Sequence, residues 1–212
     1  MKQFSVSMAL ADYIPVLFFL IAAVILIRDL YNKMSKGAFA LFAAGTIDVI
    51  AAGFLKATYK LLYAAGVCDF ESLSDVFFPM QSLGFLLAGL GMLALLCHRQ
   101  GETTLAAVAA PPFFSGTFVF VGLMVAGLGL MDVGLCVLSV KMKKPVLCVL
   151  FILSFICSLG MGYLSSKDFA QASMNWIAEG VNIVGQGTLL MGAALLHKAG
   201  FAQFQLRKEK VQ

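Results

Sequence analysis

The chain has 212 residues, of which 61% are hydrophobic and 12% are charged, with a formal net charge of +4 at pH 7. Soluble globular domains carry about a quarter charged residues, so this composition is that of a polytopic membrane protein. Apolar runs of about 18 residues or more recur along the whole chain and leave no stretch for a soluble catalytic or DNA-binding domain. The basic excess therefore bears on membrane orientation, and no nucleic-acid partner is expected.

Six apolar spans follow one another from the N-terminus. We place them at residues 9–28, 37–58, 77–97, 117–140, 145–164 and 172–197. Between the third and fourth spans the apolar stretch is too long for one crossing and slightly short for two. Pro111 and Pro112 cannot comfortably continue a helix, so a short additional crossing is predicted near 102–113.

An internal repeat bears on this count. Residues 69–99 align without a gap on residues 168–198, an offset of 99 positions (69 to 168). The matches include polar positions as well as apolar ones: Asp69-Phe70 with Asp168-Phe169, and His98-Arg99 with His197-Lys198. Chance similarity between apolar helices is the alternative. Two related units of three helices are the interpretation that the polar matches favour.

The predicted fold is a single all-α membrane domain, 1–212, with seven transmembrane helices in a 3+1+3 arrangement of parallel repeats. The first unit covers 9–99, a linker helix lies within 100–116, the second unit covers 117–198, and 199–212 form a basic tail. Six helices in an inverted 3+3 arrangement are the alternative. In layout only, the 3+1+3 order resembles sugar transporters of the SWEET type, and no motif assigns the chain to them.

The basic residues favour seven crossings over six. With seven, eleven of the fifteen lie on one side, which the positive-inside rule makes the cytoplasm. These eleven are Arg28, Lys33, Lys36, Arg99, Lys141, Lys143, Lys144, Lys198, Arg207, Lys208 and Lys210. With six crossings the division is ten to five. We therefore expect a plasma (inner) membrane protein with its N-terminus outside and its C-terminus in the cytoplasm. Lys56 and Lys60 lie opposite, near a helix end, and are expected to extend to the membrane interface.

Four polar residues line one face of the last span at spacings of 4, 3 and 4, and we call this line the stripe. They are Asn175, Glu179, Asn182 and Gln186. Lipid cannot be what this face meets, so it either binds a ligand or hydrogen-bonds a neighbouring helix. The four positions that correspond in the first unit are all apolar, which favours a ligand site. They are Val76, Met80, Leu83 and Leu87. Trp176, beside the line, belongs either to the interfacial aromatic belt or to the mouth of this site.

Two further carboxyl groups lie within apolar surroundings. Asp48 stands in GTIDVIAAG and Asp132 in GLMDVGLC. An ionised carboxylate at the bilayer centre costs about 2.5 to 3.5 kcal/mol, so each must face the bundle interior, find a donor or carry a proton. We take both as candidate proton-coupling residues; a carboxyl tied to a local hydroxyl or backbone donor is the alternative.

Metal, cofactor and enzyme chemistry have little support in the sequence. The histidines, His98 and His197, end equivalent helices beside a basic residue, which is typical of the membrane interface and not of a metal or haem site. The five cysteines form no C-x-x-C pair. Since no hydrolase, protease or P-loop motif is present either, we expect no metal, no cofactor and no enzyme activity; an enzyme that acts on lipid is a minor alternative.

Glycines are spaced for close helix packing. Gly84 with Ala88, and Gly122 with Ala126, give the small-x-x-x-small pattern that lets two helix backbones approach each other. The pattern supports a compact bundle.

Two classes of function fit these features. The first is a small permease for a small polar or cationic solute, with Asp48 or Asp132 coupling transport to protons. The second is a membrane-embedded sensor or accessory subunit that binds a small ligand and signals, through its basic tail, to a cytoplasmic or membrane protein partner. The absence of an output domain in the sequence favours the permease.

The predicted orientation can be tested by cysteine accessibility. In a variant without native cysteines, Ser5→Cys should react from the outside and Gln205→Cys from the cytoplasm, because seven crossings put the two ends on opposite sides. Labelling of Ser5→Cys from the cytoplasmic side alone would reject seven crossings and leave six.

Overall fold

A computed structural model describes residues 5–97, 117–164 and 172–206. This part of the chain is helical and contains no strand. The helices are α1 (Val6–Ala11), α2 (Tyr13–Leu30), α3 (Lys36–Ala65), α4 (Ser72–Asp75), α5 (Phe77–Cys97), α6 (Thr117–Lys141), α7 (Cys148–Leu164) and α8 (Ala172–Lys198). Two short 3-10 turns, Pro145–Leu147 and Phe201–Gln203, follow α6 and α8.

Four segments are long and apolar enough to cross a membrane. They are Val6–Leu30, Lys36–Ala65, Ser72–Cys97 and Val119–Lys141. The protein is therefore an all-α chain embedded in a membrane. α7 is apolar but shorter. α8 has 27 residues and stays outside this group, and its line of amides and a carboxyl lowers its hydropathy.

The six predicted spans fall on α2, α3, α5, α6, α7 and α8. The seventh crossing, predicted near 102–113, lies outside the described residues, and so do His98 and the Asp168-Phe169 match. The count of seven and the order of the repeats remain predictions.

The long helices pack in chain order around a closed ring. α2 lies against α3, α3 against α5, α5 against α6, α6 against α7, α7 against α8, and α8 returns to α2. Large apolar side chains from these helices fill the centre, among them Phe42, Phe85, Met92, Leu135, Phe151 and Leu189. The amino end of α8 thereby comes to lie near the first turns of α2 and the last turns of α3, as the shared cavity between them shows.

Two pairs of neighbouring helices in the ring, α3 with α5 and α5 with α6, pack backbone against backbone. Gly45 of α3 faces Gly84 of α5, and Gly89 of α5 faces Gly127 of α6. A methyl group added at any of these four glycines would overlap backbone atoms of the partner helix. Gly84 was predicted to make such a contact and does. Gly122, predicted for the same role, has no described neighbour within 4 Å of the position that a Cβ would take, and Gly127 makes the contact one and a half turns later.

Basic residues gather at one end of the bundle, where α2 meets the carboxyl end of α8. We call this the basic end. His197 Nδ1 lies 2.9 Å from both carboxylate oxygens of Asp29, and an amino nitrogen of Arg28 lies 2.8 Å from His197 Nε2. A guanidinium can only donate, so Nε2 accepts and Nδ1–H donates to Asp29. Lys33 Nζ donates to the Ala202 carbonyl at 2.7 Å. These contacts tie the two helix ends together.

The glycine contacts predict opposite results for two alanine substitutions on α6. Gly127→Ala should destabilise the protein by about 1 to 3 kcal/mol, because its methyl group overlaps the backbone of α5. Gly122→Ala, the matched control, should cost nothing or stabilise by up to about 1 kcal/mol, since alanine loses less backbone entropy in a helix. The thermal unfolding midpoint in detergent is the measurement. Equal effects of the two substitutions would contradict the backbone contact.

Candidate functional site

A cavity of about 320 Å³ opens at the end of the bundle opposite the basic end. We call it the main cavity. Its wall comes from the α1–α2 junction, α3, α4, α5, α7 and α8. Three of the four predicted stripe residues line it, which are Asn175, Glu179 and Asn182. The stripe therefore faces a space between helices rather than lipid.

The wall of the main cavity also carries charged residues from the first half of the chain. Asp12, at the junction of α1 and α2, forms a salt bridge with Lys60 of α3, and the two side chains are 8% and 15% exposed. Lys56, one turn before Lys60, has its ammonium 3.8 Å from the centre of the Phe77 ring, a cation–π contact. The sequence predicted that both lysines extend to the membrane interface. The structure turns them inward instead, because Asp12 and the Phe77 ring offer better partners than the interface.

Local sequence explains why Asp12 points into the bundle. Pro15 has no amide hydrogen, so α2 cannot continue the hydrogen-bond ladder of α1 through Ala11, and the helix is interrupted at Asp12. Just below, the Tyr13 hydroxyl lies 2.9 Å from the Thr58 hydroxyl, and Gly53 leaves room for Val16. These contacts hold the first turns of α2 against α3 and fix the position of the carboxyl.

Glu179 and Asp12 place two carboxyl groups side by side in the wall. They are 7% and 7% exposed and would hydrogen-bond to each other if one of them carried a proton. Glu179 Oε1 and Asp12 Oδ1 are buried and have no hydrogen-bond partner among the described residues. Two neighbouring carboxylates repel each other, so a hydrogen-bond donor or a cation between the two groups would be stabilising.

A smaller space of about 40 Å³ continues the main cavity toward the middle of the bundle. We call it the inner chamber. It shares Val16, Gly53, Gln81 and Asn182 with the main cavity and adds Gln186, the fourth stripe residue. Gln186 Oε1 is buried and has no partner among the described residues.

The inner chamber ends on an aromatic contact between α2 and α5. The rings of Phe19 and Phe85 both line it and meet edge to face, with 5.7 Å between their centres. Polar groups thus follow one path from the opening to Gln186, and the apolar core blocks the path beyond it.

The remaining predicted residues do not line these spaces. Asp132 is 2% exposed in the core, between Leu128 and Leu135 on the same face of α6, and neither carboxylate oxygen has a partner in the part of the chain that the structure describes. Asp48 is half-buried on α3. Trp176 is 47% exposed and lies outside the cavity wall. The structure therefore separates the stripe from the two candidate proton-coupling residues.

Several polar residues of the site were not predicted from the sequence as part of it, among them Asp12, Lys56, Lys60 and Gln81. Asp12 and Lys60 could have been predicted as an ion pair, because one lies near the start of the first apolar span and the other near the end of the second. Those two ends lie on the same side of the bundle. Gln81 stands alone between apolar neighbours in α5, and it gains a role only because residues of α2, α3 and α8 line the same cavity. Across the described ranges, no group of three His, Cys, Asp or Glu side chains is arranged to hold a metal ion.

Comparison with family models, with curated proteins and with solved structures finds no match to this chain. Function is therefore inferred from the main cavity and the inner chamber themselves.

Cysteine labelling can test whether the stripe meets water. In a variant without native cysteines, Asn175→Cys, Glu179→Cys, Asn182→Cys and Gln186→Cys should react with a small charged thiol reagent, with Gln186→Cys the slowest because it lies deepest. Ile177→Cys and Val184→Cys are the controls. Their native side chains are 53% and 51% exposed on other faces of α8, where lipid would exclude a charged reagent. Equal labelling on all faces, or no labelling of a well-expressed Glu179→Cys, would favour a packing role for the stripe.

Proposed function

We propose that the protein is a small permease for a small polar or cationic solute, which binds in the main cavity and the inner chamber. The main support for this proposal is a set of unpaired oxygen atoms along the polar path. Three buried acceptor oxygens without a partner among the described residues follow one path inward, and they belong to Asp12, Glu179 and Gln186. A buried acceptor left unpaired costs about 1 to 3 kcal/mol, which a bound ligand that donates hydrogen bonds would recover.

The unpaired acceptor oxygens of the site favour a solute with an ammonium group or several hydroxyls. Lys60 pairs with one oxygen of Asp12, and Lys56, whose ammonium group contacts the Phe77 ring, also interacts electrostatically with Asp12 and Glu179. The two acidic and two basic side chains of the wall therefore balance in charge. The free oxygens of Asp12 and Glu179 remain to accept from a donor, and a cation between them would relieve their mutual repulsion. Asn182 and Gln81 can both donate and accept, so they suit hydroxyl groups deeper in the path.

The closed end of the path is consistent with a carrier that has one side open at a time. A continuous pore would leak, whereas here Phe19 and Phe85 close the route below the inner chamber. Passage to the other side would require α2 and α5 to separate at this contact. Under the positive-inside rule the main cavity opens to the outside of the plasma membrane and the C-terminus lies in the cytoplasm.

Asp132 is the better of the two candidates for proton coupling. It lies in the core without a described partner, where a charge is most costly, so a neutral protonated form is favoured when the path is closed. Asp48 is half-buried, so a charge on its carboxylate costs less than a charge on that of Asp132. Asp132 does not touch the cavity wall, so coupling would act through a movement of α6 and not through contact with the solute.

Reconstituted protein tests both parts of this proposal with two variants. We expect proteoliposomes to take up one or more of a set of small labelled solutes, namely ethanolamine, choline, putrescine and glycerol, against a gradient when a pH difference is imposed. Glu179→Gln should weaken uptake of a cation at least tenfold, because the amide cannot carry the charge that pairs with it. Asp132→Asn should abolish accumulation but leave exchange of labelled for unlabelled solute, because the amide keeps the shape and cannot titrate.

The matched control is Glu71→Gln, the same change at an exposed position between α3 and α4. It should leave both activities unchanged. Binding of a solute without flux through wild-type protein would favour the alternative, a membrane sensor or accessory subunit. Full accumulation by Asp132→Asn would remove Asp132 from coupling.

A further inference from the structure

A second concave surface lies at the basic end, away from the main cavity. It is a groove of about 360 Å³ between the α6–α7 turn and the carboxyl end of α8. Three lysines line it, which are Lys143, Lys144 and Lys198. None of the three forms a salt bridge with a described acidic residue. We call this surface the lysine groove.

The backbone at Lys143 adds an independent observation. Its φ is 59°, in the left-handed region, and it is the one described non-glycine residue with a positive φ. It ends α6 in a Schellman motif, in which Lys143 N–H bonds to the Val140 carbonyl and Lys144 N–H to the Ser139 carbonyl, both at 2.9 Å. The left-handed residues that follow α3 and α8 are Gly66 and Gly200. A lysine at this position lowers the stability by about 1 kcal/mol relative to glycine. This cost indicates that the ammonium group of Lys143 contributes to a binding site.

The electrostatics of the groove favour an anion. The carboxyl ends of α6 and α8 border it, and each contributes about half a negative charge. The amino end of α7, on the other side, contributes about half a positive charge and offsets part of this negative charge. The positive charge of the three lysine ammonium groups is several times larger than the net negative charge of these helix ends. An anion with several acceptor oxygens, such as a phosphate ester, would meet three donors in one place.

The other side of the groove is apolar and uncovered. Val146 is 78% exposed and Leu195 is 41% exposed, next to the lysines. The groove lies at the carboxyl end of α6, which is long and apolar enough to cross a membrane, so this apolar side is expected at the level where headgroups meet acyl chains. A free phosphate would use the lysines alone, whereas a phospholipid would use both sides.

We propose that the lysine groove binds an anionic phospholipid, with its phosphate among Lys143, Lys144 and Lys198 and the start of an acyl chain along Val146 and Leu195. Basic pockets between membrane helices on the cytoplasmic side are typical sites for such headgroups. The site does not depend on what the main cavity binds. The lipid would join the α6–α7 turn to the end of α8 and so close the ring at the basic end.

The test uses the full-length protein, delipidated in an uncharged detergent and titrated with phosphatidylglycerol, phosphatidylcholine or inorganic phosphate. Native mass spectrometry and the thermal unfolding midpoint report binding. Wild type should retain and be stabilised by phosphatidylglycerol, and much less by the other two. At about 1 kcal/mol for each lysine, removal of one should weaken binding about fivefold, and Lys143→Gln with Lys144→Gln and Lys198→Gln about a hundredfold.

Two further variants separate a built site from general attraction and from a structural role. Lys36→Gln, the matched control, removes an exposed lysine at the start of α3 that does not line the groove, and it should leave binding unchanged. Lys143→Gly should unfold at the same or a higher temperature without lipid, because glycine suits the left-handed backbone, and yet bind phosphatidylglycerol more weakly. This variant decides the matter if the triple variant does not fold.

Three results would overturn the proposal. Equal weakening by Lys36→Gln would show general attraction of a basic surface. Stabilisation by inorganic phosphate that matches phosphatidylglycerol would assign the lysines to a free anion. Unchanged lipid binding by Lys143→Gly would remove the lysine from the site.

Discussion

The cost of placing a polar group inside an apolar bundle governs this protein. Asp12 and Lys60 meet this cost by forming a salt bridge that is almost completely enclosed, and Lys56 meets it against the face of Phe77. Helices that carry these residues cannot close around them as an apolar core would. The main cavity is the space that remains, and the stripe on α8 completes its wall.

The two ends of the bundle differ in how their buried carboxyl groups are paired. At the basic end, Asp29 is covered, and His197 satisfies both of its oxygens, so that α2 and α8 are joined without a cavity. At the opposite end, Asp12 and Glu179 each keep an oxygen without a described partner. One carboxyl therefore joins two helices, and the other two leave acceptor oxygens unpaired in the wall of the main cavity.

Close backbone packing and open polar space coexist because they occupy different parts of α5. Its middle contains Gly84 and Gly89, which pack directly on α3 and α6 and make that side of the ring rigid. Its amino end contributes Phe77 and Gln81 to the cavity wall. The close backbone contacts of α5 therefore lie beside the space that ends on the Phe19–Phe85 contact.

The sequence by itself determined the membrane class, the positions of six of the described helices and the line of polar residues on α8, since all depend on composition and on the period of 3.6 residues along one helix. The tertiary structure alone decided what that line faces. Asp12 lies 167 residues before Glu179 in the chain (179 − 12), and no local pattern relates them. Lys60, near a helix end, was expected at the membrane interface, and its ion pair with Asp12 is seen only in the tertiary structure. Only the return of α8 to α2 in the ring brings these charges together, because pairing across the bundle depends on helix packing and not on spacing within a helix.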